Sequence, residues 1–195
     1  DQWCQVLKDS GSKGIIFTAK HHDGFCLWQT EYTDYSIKNS PYMNGEGDIV
    51  KQLAESCKKY DLKFGIYLSP WDRNNANYGT EAYNDYFVNQ LTELCTNYGE
   101  LFCVWFDGAK ADDVPDFDYD FERYFDVVKR LQPNAVTSIC GEDIRWIGNE
   151  SGTVRESEWS VVPSGTLSVN GDNDLPELDT TAQDLGSREA VKDYK

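Results

Sequence analysis

At 195 residues, with 39% hydrophobic and 14% aromatic content, the chain carries enough apolar material for one sizeable core, which excludes a disordered or low-complexity reading. Thirty-four acidic against 18 basic residues give a formal charge of −16, which sets aside nucleic acid and anionic membranes as partners, because both need a basic face. No apolar run reaches the length of about 18 residues that spans a bilayer, and no charged-apolar-small leader opens the chain, although Asp1 reads as mid-domain sequence.

Trp3 to Leu7, stopped at Gly11, reads as a helix feeding the apolar run Gly14 to Ala19, the first strand. The segment "TAKHHDGF" (18–25) follows directly and sets the chain's two histidines side by side. Asp48 predicts an N-cap for a helix whose apolar positions Ile49, Val50, Leu53, Ala54 and Cys57 share one face. Lys63 to Leu68 is the next strand. Thr80 then precedes a helix with Tyr83, Phe87, Leu91, Leu94 and Tyr98 along one side and Gly99 as its stop. Leu101 to Phe106 forms a third strand. A Pro/Asp-rich loop leads to a helix carrying Phe121, Tyr124, Phe125, Val128 and Leu131, which ends before Pro133, and Ala135 to Ile139 is the fourth strand. From about residue 164 the sequence turns to Ser, Gly, Asn, Asp and Pro without periodicity. The six cysteines (Cys4, Cys26, Cys57, Cys95, Cys103, Cys140) form no CxxC pair and no Cys/His ligand spacing, so they read as free, mostly buried thiols.

Strands that are nearly continuously apolar and alternate with helices indicate an α/β fold with a buried parallel sheet. Either a doubly wound sheet or a (β/α)8 TIM-like barrel fits that rhythm. The loops after the strands favour the barrel. They hold His21, His22, Asp23 and Trp28, then Pro70, Trp71, Asp72 and Arg73, then Asp107, then Glu142, Asp143, Arg145, Trp146 and Glu150. Barrel enzymes build their sites at that rim, and no glycine-rich phosphate loop is present. Four units are half of a barrel that typically needs about 250 residues. Residues 1–162 are therefore expected to be part of a (β/α)8 catalytic barrel, and 163–195 a long loop or tail continuing into further barrel sequence.

Asp107 ends the apolar run Leu-Phe-Cys-Val-Trp-Phe beside Gly108, where a nucleophile or base would sit; a turn or helix-capping Asp is the structural alternative. Trp105 shares its strand parity and hence its face. Chemistry on an acetal needs a second carboxylate, for which Glu142, Asp143 and Glu150 are the candidates. Past the strand end both His21 and His22 can turn into a pocket and bind substrate hydroxyls as neutral imidazoles. A metal site would want a third ligand at HxH or HExxH spacing, and the chain has no third histidine, so neither metal nor cofactor is expected. Trp28, Tyr67, Trp71, Trp105 and Trp146 lie at or near strand ends, where rings pack on sugar C–H faces, although rings are also ordinary core residues. No GxSxG elbow or cysteine-nucleophile signature is present.

Together, "FTAKHHDGFCLWQTEYTDYSI", "LKFGIYLSPWDRN", "VWFDGA" and "DIRWIGNE", in this order, resemble the alpha-L-fucosidases of glycoside hydrolase family 29, over roughly residues 3 to 162. The resemblance implies a retaining exo-glycosidase that releases terminal alpha-L-fucose through a covalent fucosyl-enzyme. Its nucleophile corresponds to Asp107, its fucose-binding histidines to His21 and His22, and two further pocket residues to Tyr67 and Trp105. The general acid/base, which varies in position across the family, corresponds to Glu150 in the branch with an "RW(V/I)GNE" segment, and that branch is similar to enzymes selective for alpha-1,3 and alpha-1,4 fucose. Trp28, Trp71, Arg145 and Trp146 complete the expected substrate contacts. The expected partner is a fucosylated oligosaccharide or glycoconjugate, and an extracytoplasmic location, periplasmic or secreted, follows from such a substrate. The family's earlier barrel strands and its C-terminal β-sandwich lie outside these 195 residues. Two other readings stay open: a non-catalytic barrel that binds fucosylated glycans, and a metal-dependent hydrolase barrel using the histidine pair.

Overall fold

In the computed structural model, which describes residues 1–114, 116–139 and 143–144, four strands alternate with four α-helices. The strands are β1 (Gly14–Lys20), β2 (Lys63–Leu68), β3 (Cys103–Phe106) and β4 (Val136–Ile139); the helices are α1 (Gln2–Asp9), α2 (Ile49–Lys59), α3 (Glu81–Asn97) and α4 (Phe121–Leu131). Asp48 caps α2 as its sequence position predicts, accepting from Lys51 N at 2.8 Å, and Asp120 caps α4 through Arg123 N at 3.1 Å. Thr80 holds the N-cap position of α3, but its hydroxyl turns back to Asn77 O at 2.7 Å and caps nothing. The third strand starts later than the apolar run suggests. Leu101 N goes to the Gln132 side chain at 3.0 Å, and Phe102 N, at 2.9 Å from Phe64 O, makes the first contact with β2.

All neighbouring strands are parallel, in the order β1-β2-β3-β4. One face of this sheet is covered by the helices. Ile66 and Leu68 of β2 and Val104 and Phe106 of β3 join Val50, Leu53, Phe87, Leu91, Tyr124 and Val128 in one buried cluster. The Phe106 ring lies 5.5 Å from Phe125 and 6.2 Å from Phe121, both edge-on, the geometry aromatic pairs prefer. The opposite face carries a rung of paired residues, Thr18, Tyr67, Trp105 and Ser138. A doubly wound sheet reverses its strand order and covers both faces. Among the described residues the order does not reverse and the helices keep to one side, so the architecture is a partial (β/α)8 barrel whose rung of Tyr67 and Trp105 faces the barrel interior.

One irregularity positions the site. Thr18 pairs with Tyr67, but Lys20, not Ala19, pairs with Leu68, so β1 contains one extra residue. Such a bulge turns the following side chain to the other face. Lys20 accordingly lies with Leu68 on the helix side, fully buried. The five described cysteines are free and buried; Cys140 and the 163–195 tail lie outside the described residues. No helix among the described residues is long and apolar enough to cross a membrane.

Candidate active site

Asp107 follows β3 directly, and both its oxygens are held. Tyr67 Oη donates to Oδ2 at 2.6 Å, and Ala109 N donates to Oδ1 at 2.7 Å. Each carboxylate oxygen has two lone pairs, so both keep one for chemistry. The turn after Asp107 is braced from below. Tyr119 Oη donates to Ala109 O at 2.9 Å, Tyr78 Oη lies 2.6 Å from Tyr119 Oη, and Ala111 N reaches Tyr78 Oη at 3.3 Å. Burial raises the Tyr119 pKa well above the ordinary phenol value, which keeps it a donor.

The two histidines turn to the same side, as a loop beyond a strand permits. Gly24, at φ +84°, donates its N–H to His21 O at 3.0 Å and closes that turn in a conformation that L side chains rarely adopt. The His21 and His22 ring centroids are 3.9 Å apart. His21 stacks on Tyr67 at 5.7 Å with an 11° interplanar angle, and His22 lies 4.9 Å from Trp71. Tyr67 in turn lies 6.5 Å from Trp105. The rings of Trp105, Tyr67, His21, His22 and Trp71 thus form a continuous row with Asp107 attached at Tyr67. Burial, reinforced by His21 and Arg73 and opposed by Asp107 and Asp23, lowers the His22 pKa below its usual value, so the ring is neutral at neutral pH.

Of the residues singled out in the sequence, Asp107, His21, His22, Tyr67, Trp71 and Trp105 come together. Trp28 does not. It is fully buried and donates Nε1–H to Glu93 Oε2 at 2.9 Å, so it is a core residue and not a substrate contact. Its polar tip needed a partner once buried, and α3 supplies one. Asp143 has its Oδ2 committed to Thr137, from N at 2.7 Å and from Oγ1 at 2.8 Å, which leaves Oδ1 alone for a proton-transfer role. Glu142, Arg145, Trp146 and Glu150 lie outside the described residues. Among the described residues, no group of three or more His, Cys, Asp and Glu is arranged to hold a metal ion.

Sequence reasoning missed the support beneath the histidines. Lys20 Nζ meets Asp72 Oδ2 at 3.1 Å, Gln90 Oε1 at 3.0 Å and Tyr83 Oη at 3.4 Å. Asp72 Oδ1 accepts from Asn74 N at 3.0 Å and Asn75 N at 2.9 Å, and Tyr83 Oη donates to Pro70 O at 2.6 Å. Lys20 immediately precedes the histidines and Asp72 immediately follows Trp71, so this ion pair ties the loops after β1 and β2 to each other and to α3. A lysine closing an otherwise apolar strand was the available signal.

The chain is similar to known proteins over most of its length. The alpha-L-fucosidase family model matches residues 1–166. The chain is 51% identical over 162 residues to Alpha-L-fucosidase 1 of Arabidopsis thaliana, covering 82% of this chain and 32% of that protein. It therefore spans about a third of the length of that curated relative. A glycoside hydrolase family 29 member from an unknown rumen bacterium superposes with a TM-score of 0.75 at 47% identity, over 83% of this chain and 32% of that one. A Ruminococcus gnavus fucosidase of the same family, solved in complex with fucose, gives 0.73 at 35% identity, over 84% of this chain and 39% of that one. By the family match over most of its length and by the structural likeness of its half-barrel, the chain belongs to the alpha-L-fucosidase family, glycoside hydrolase family 29.

Proposed function

We propose that the protein is a retaining exo-alpha-L-fucosidase that removes terminal alpha-1,3- or alpha-1,4-linked fucose from glycans through a covalent fucosyl-enzyme. The observation that carries this reading is the carboxylate of Asp107, fixed through both oxygens at a strand tip and flanked by a row of aromatic and imidazole rings. In the first step Asp107 attacks the anomeric carbon as the glycosidic bond breaks, and Glu150 gives its proton to the leaving oxygen. In the second, Glu150 takes a proton from water, which attacks the same carbon and releases Asp107. Two inversions give net retention. His21 and His22 bind sugar hydroxyls, and Trp71 and Trp105 offer ring faces to sugar C–H groups. Arg145 and Trp146 are assigned to the outer part of the glycan. The substrate is a fucosylated oligosaccharide or glycoconjugate, and a periplasmic or secreted location, tested by cell fractionation, goes with it.

The experiment is to incubate the full-length protein, with Asp107→Ala beside it, with a Lewis-type trisaccharide and to follow free fucose and its first-formed anomer by NMR. Alpha-fucose from the wild type alone is the expected result. Initial release of beta-fucose would refute retention, and undiminished turnover by Asp107→Ala would refute the nucleophile. Saturable binding without release would make the barrel a glycan binder.

A further inference from the structure

The hydrogen bonds around His22 have a direction that the positions of the rings alone do not give. His22 Nδ1 lies 2.7 Å from Ser69 Oγ, and the same hydroxyl lies 2.9 Å from Trp71 O. A serine hydroxyl has one proton, and a backbone carbonyl can only accept. Both contacts are hydrogen bonds at once only when Ser69 donates to Trp71 O and its oxygen accepts from Nδ1–H of His22. A neutral imidazole protonated at Nδ1 has its lone pair at Nε2.

Ser69 is well placed to impose this. It is fully buried, one residue past β2, and its N–H is bonded to Lys20 O at 3.0 Å. Pro70 follows, which confines Ser69 to extended backbone. The Pro70 carbonyl is pinned in turn by Tyr83. The neighbouring rings of His21 at 3.9 Å and Trp71 at 4.9 Å oppose a flip that would exchange Nδ1 for carbon.

We propose that Ser69 is a positioning residue that locks His22 as the Nδ1–H tautomer, so that Nε2 reads one sugar hydroxyl as a hydrogen-bond donor. This deepens the fucosidase reading and rests on it for the identity of the sugar. The lock predicts a specificity: a fucoside whose hydroxyl at this contact is methylated, fluorinated or deleted cannot donate to Nε2 and is rejected, while a hydroxyl that only donates there is accepted.

The test has a readout independent of turnover. In full-length protein labelled with 15N-histidine, with His22→Gln used to assign the resonance, imidazole nitrogen shifts distinguish the two tautomers and the imidazolium. At neutral pH the wild type is expected to show His22 protonated at Nδ1 only. Ser69→Ala is expected to move His22 toward the Nε2–H form and to raise KM for the fucoside about tenfold, the scale of one hydrogen bond, with a smaller change in kcat. Ser69→Thr, which retains the hydroxyl, is expected to restore both. A wild-type His22 that is Nε2–H or doubly protonated would overturn the proposal, as would a Ser69→Ala spectrum identical to wild type. A locked tautomer in a protein that cleaves no fucoside would uphold the role of Ser69 and count instead against the proposed activity.

Discussion

Lys20→Met is the most informative single perturbation of this fold. Methionine keeps the apolar stem and deletes the ammonium. Lys20 is fully buried, and its three protons meet Asp72 Oδ2, Gln90 Oε1 and Tyr83 Oη at 3.1, 3.0 and 3.4 Å. The ammonium also lies 5.3 Å from the Tyr86 ring centroid and 5.4 Å from that of Phe87. Without it, Asp72 keeps the two amide donors on Oδ1 but loses its countercharge on Oδ2. Stranding one member of a buried pair costs about 3–5 kcal/mol. Circular dichroism melts and urea titrations of the full-length protein measure the loss. The double variant Lys20→Met/Asp72→Asn removes the stranded charge while its amide oxygen still accepts from Asn74 and Asn75, so it should recover a large part of the stability. A single variant within about 1 kcal/mol of wild type, or a double variant no better than the single, would refute the argument.

Three further outcomes are expected. Tyr67→Phe removes the donor at Asp107 Oδ2 and should lower kcat about 10- to 100-fold, the range for a hydrogen bond to a charged group, without loss of fold; unchanged turnover would separate Tyr67 from the chemistry. Because the folded state depresses the His22 pKa, mainly by burial, the unfolded chain takes up a proton near pH 6.5 while folded His22 still resists it. The stability that His22 contributes is therefore complete above pH 6.5 and is lost as pH falls through its lower folded value, which urea titrations of wild type and His22→Gln across that range will test; a pH dependence of opposite sign would contradict it. Gly24→Ala should destabilise by more than the roughly 1–2 kcal/mol of a left-handed L-residue, because its Cβ would also meet Asp72 Oδ1, which the Asn74 and Asn75 amides hold in place; urea titration measures this, and a loss of about 1 kcal/mol or less would contradict it.

Features that depend on local chemistry were legible in the sequence. The apolar runs located four strands to within two residues, and Asp48 announced its helix. Asp107 at a strand tip, sharing the face of Trp105, followed from the two-residue period of a strand. What escaped depends on partners far along the chain. Trp28 looked like a rim residue because polar loop surrounds it, yet Glu93, 65 residues on, satisfies its indole in the core. Asp72 looked like a loop carboxylate, yet Lys20, 52 residues earlier, makes it a buried anion. Ser69 carried no signal at all, since its meaning lies in the direction of one hydroxyl proton.

The bulge in β1 explains how one short segment serves both the core and the site. In a regular strand Lys20 would share the face of Thr18 and Tyr67, and its ammonium would enter the barrel interior beside Asp107. His21 would then turn toward the helices. The extra residue at Ala19 reverses both assignments. Lys20 goes to α3, where Asp72 and Gln90 receive it, and His21 comes round to stack on Tyr67. The same pairing of Lys20 with Leu68 brings its carbonyl to Ser69 N, which sets the serine that orients His22. The proposed recognition of a sugar hydroxyl by His22 is thus linked to a buried ion pair through consecutive residues of a single strand end, so variants of Lys20 or Asp72 that still fold should disturb substrate affinity before they disturb the position of Asp107, whose oxygens are held by Tyr67 and the Ala109 amide and not by the ion pair.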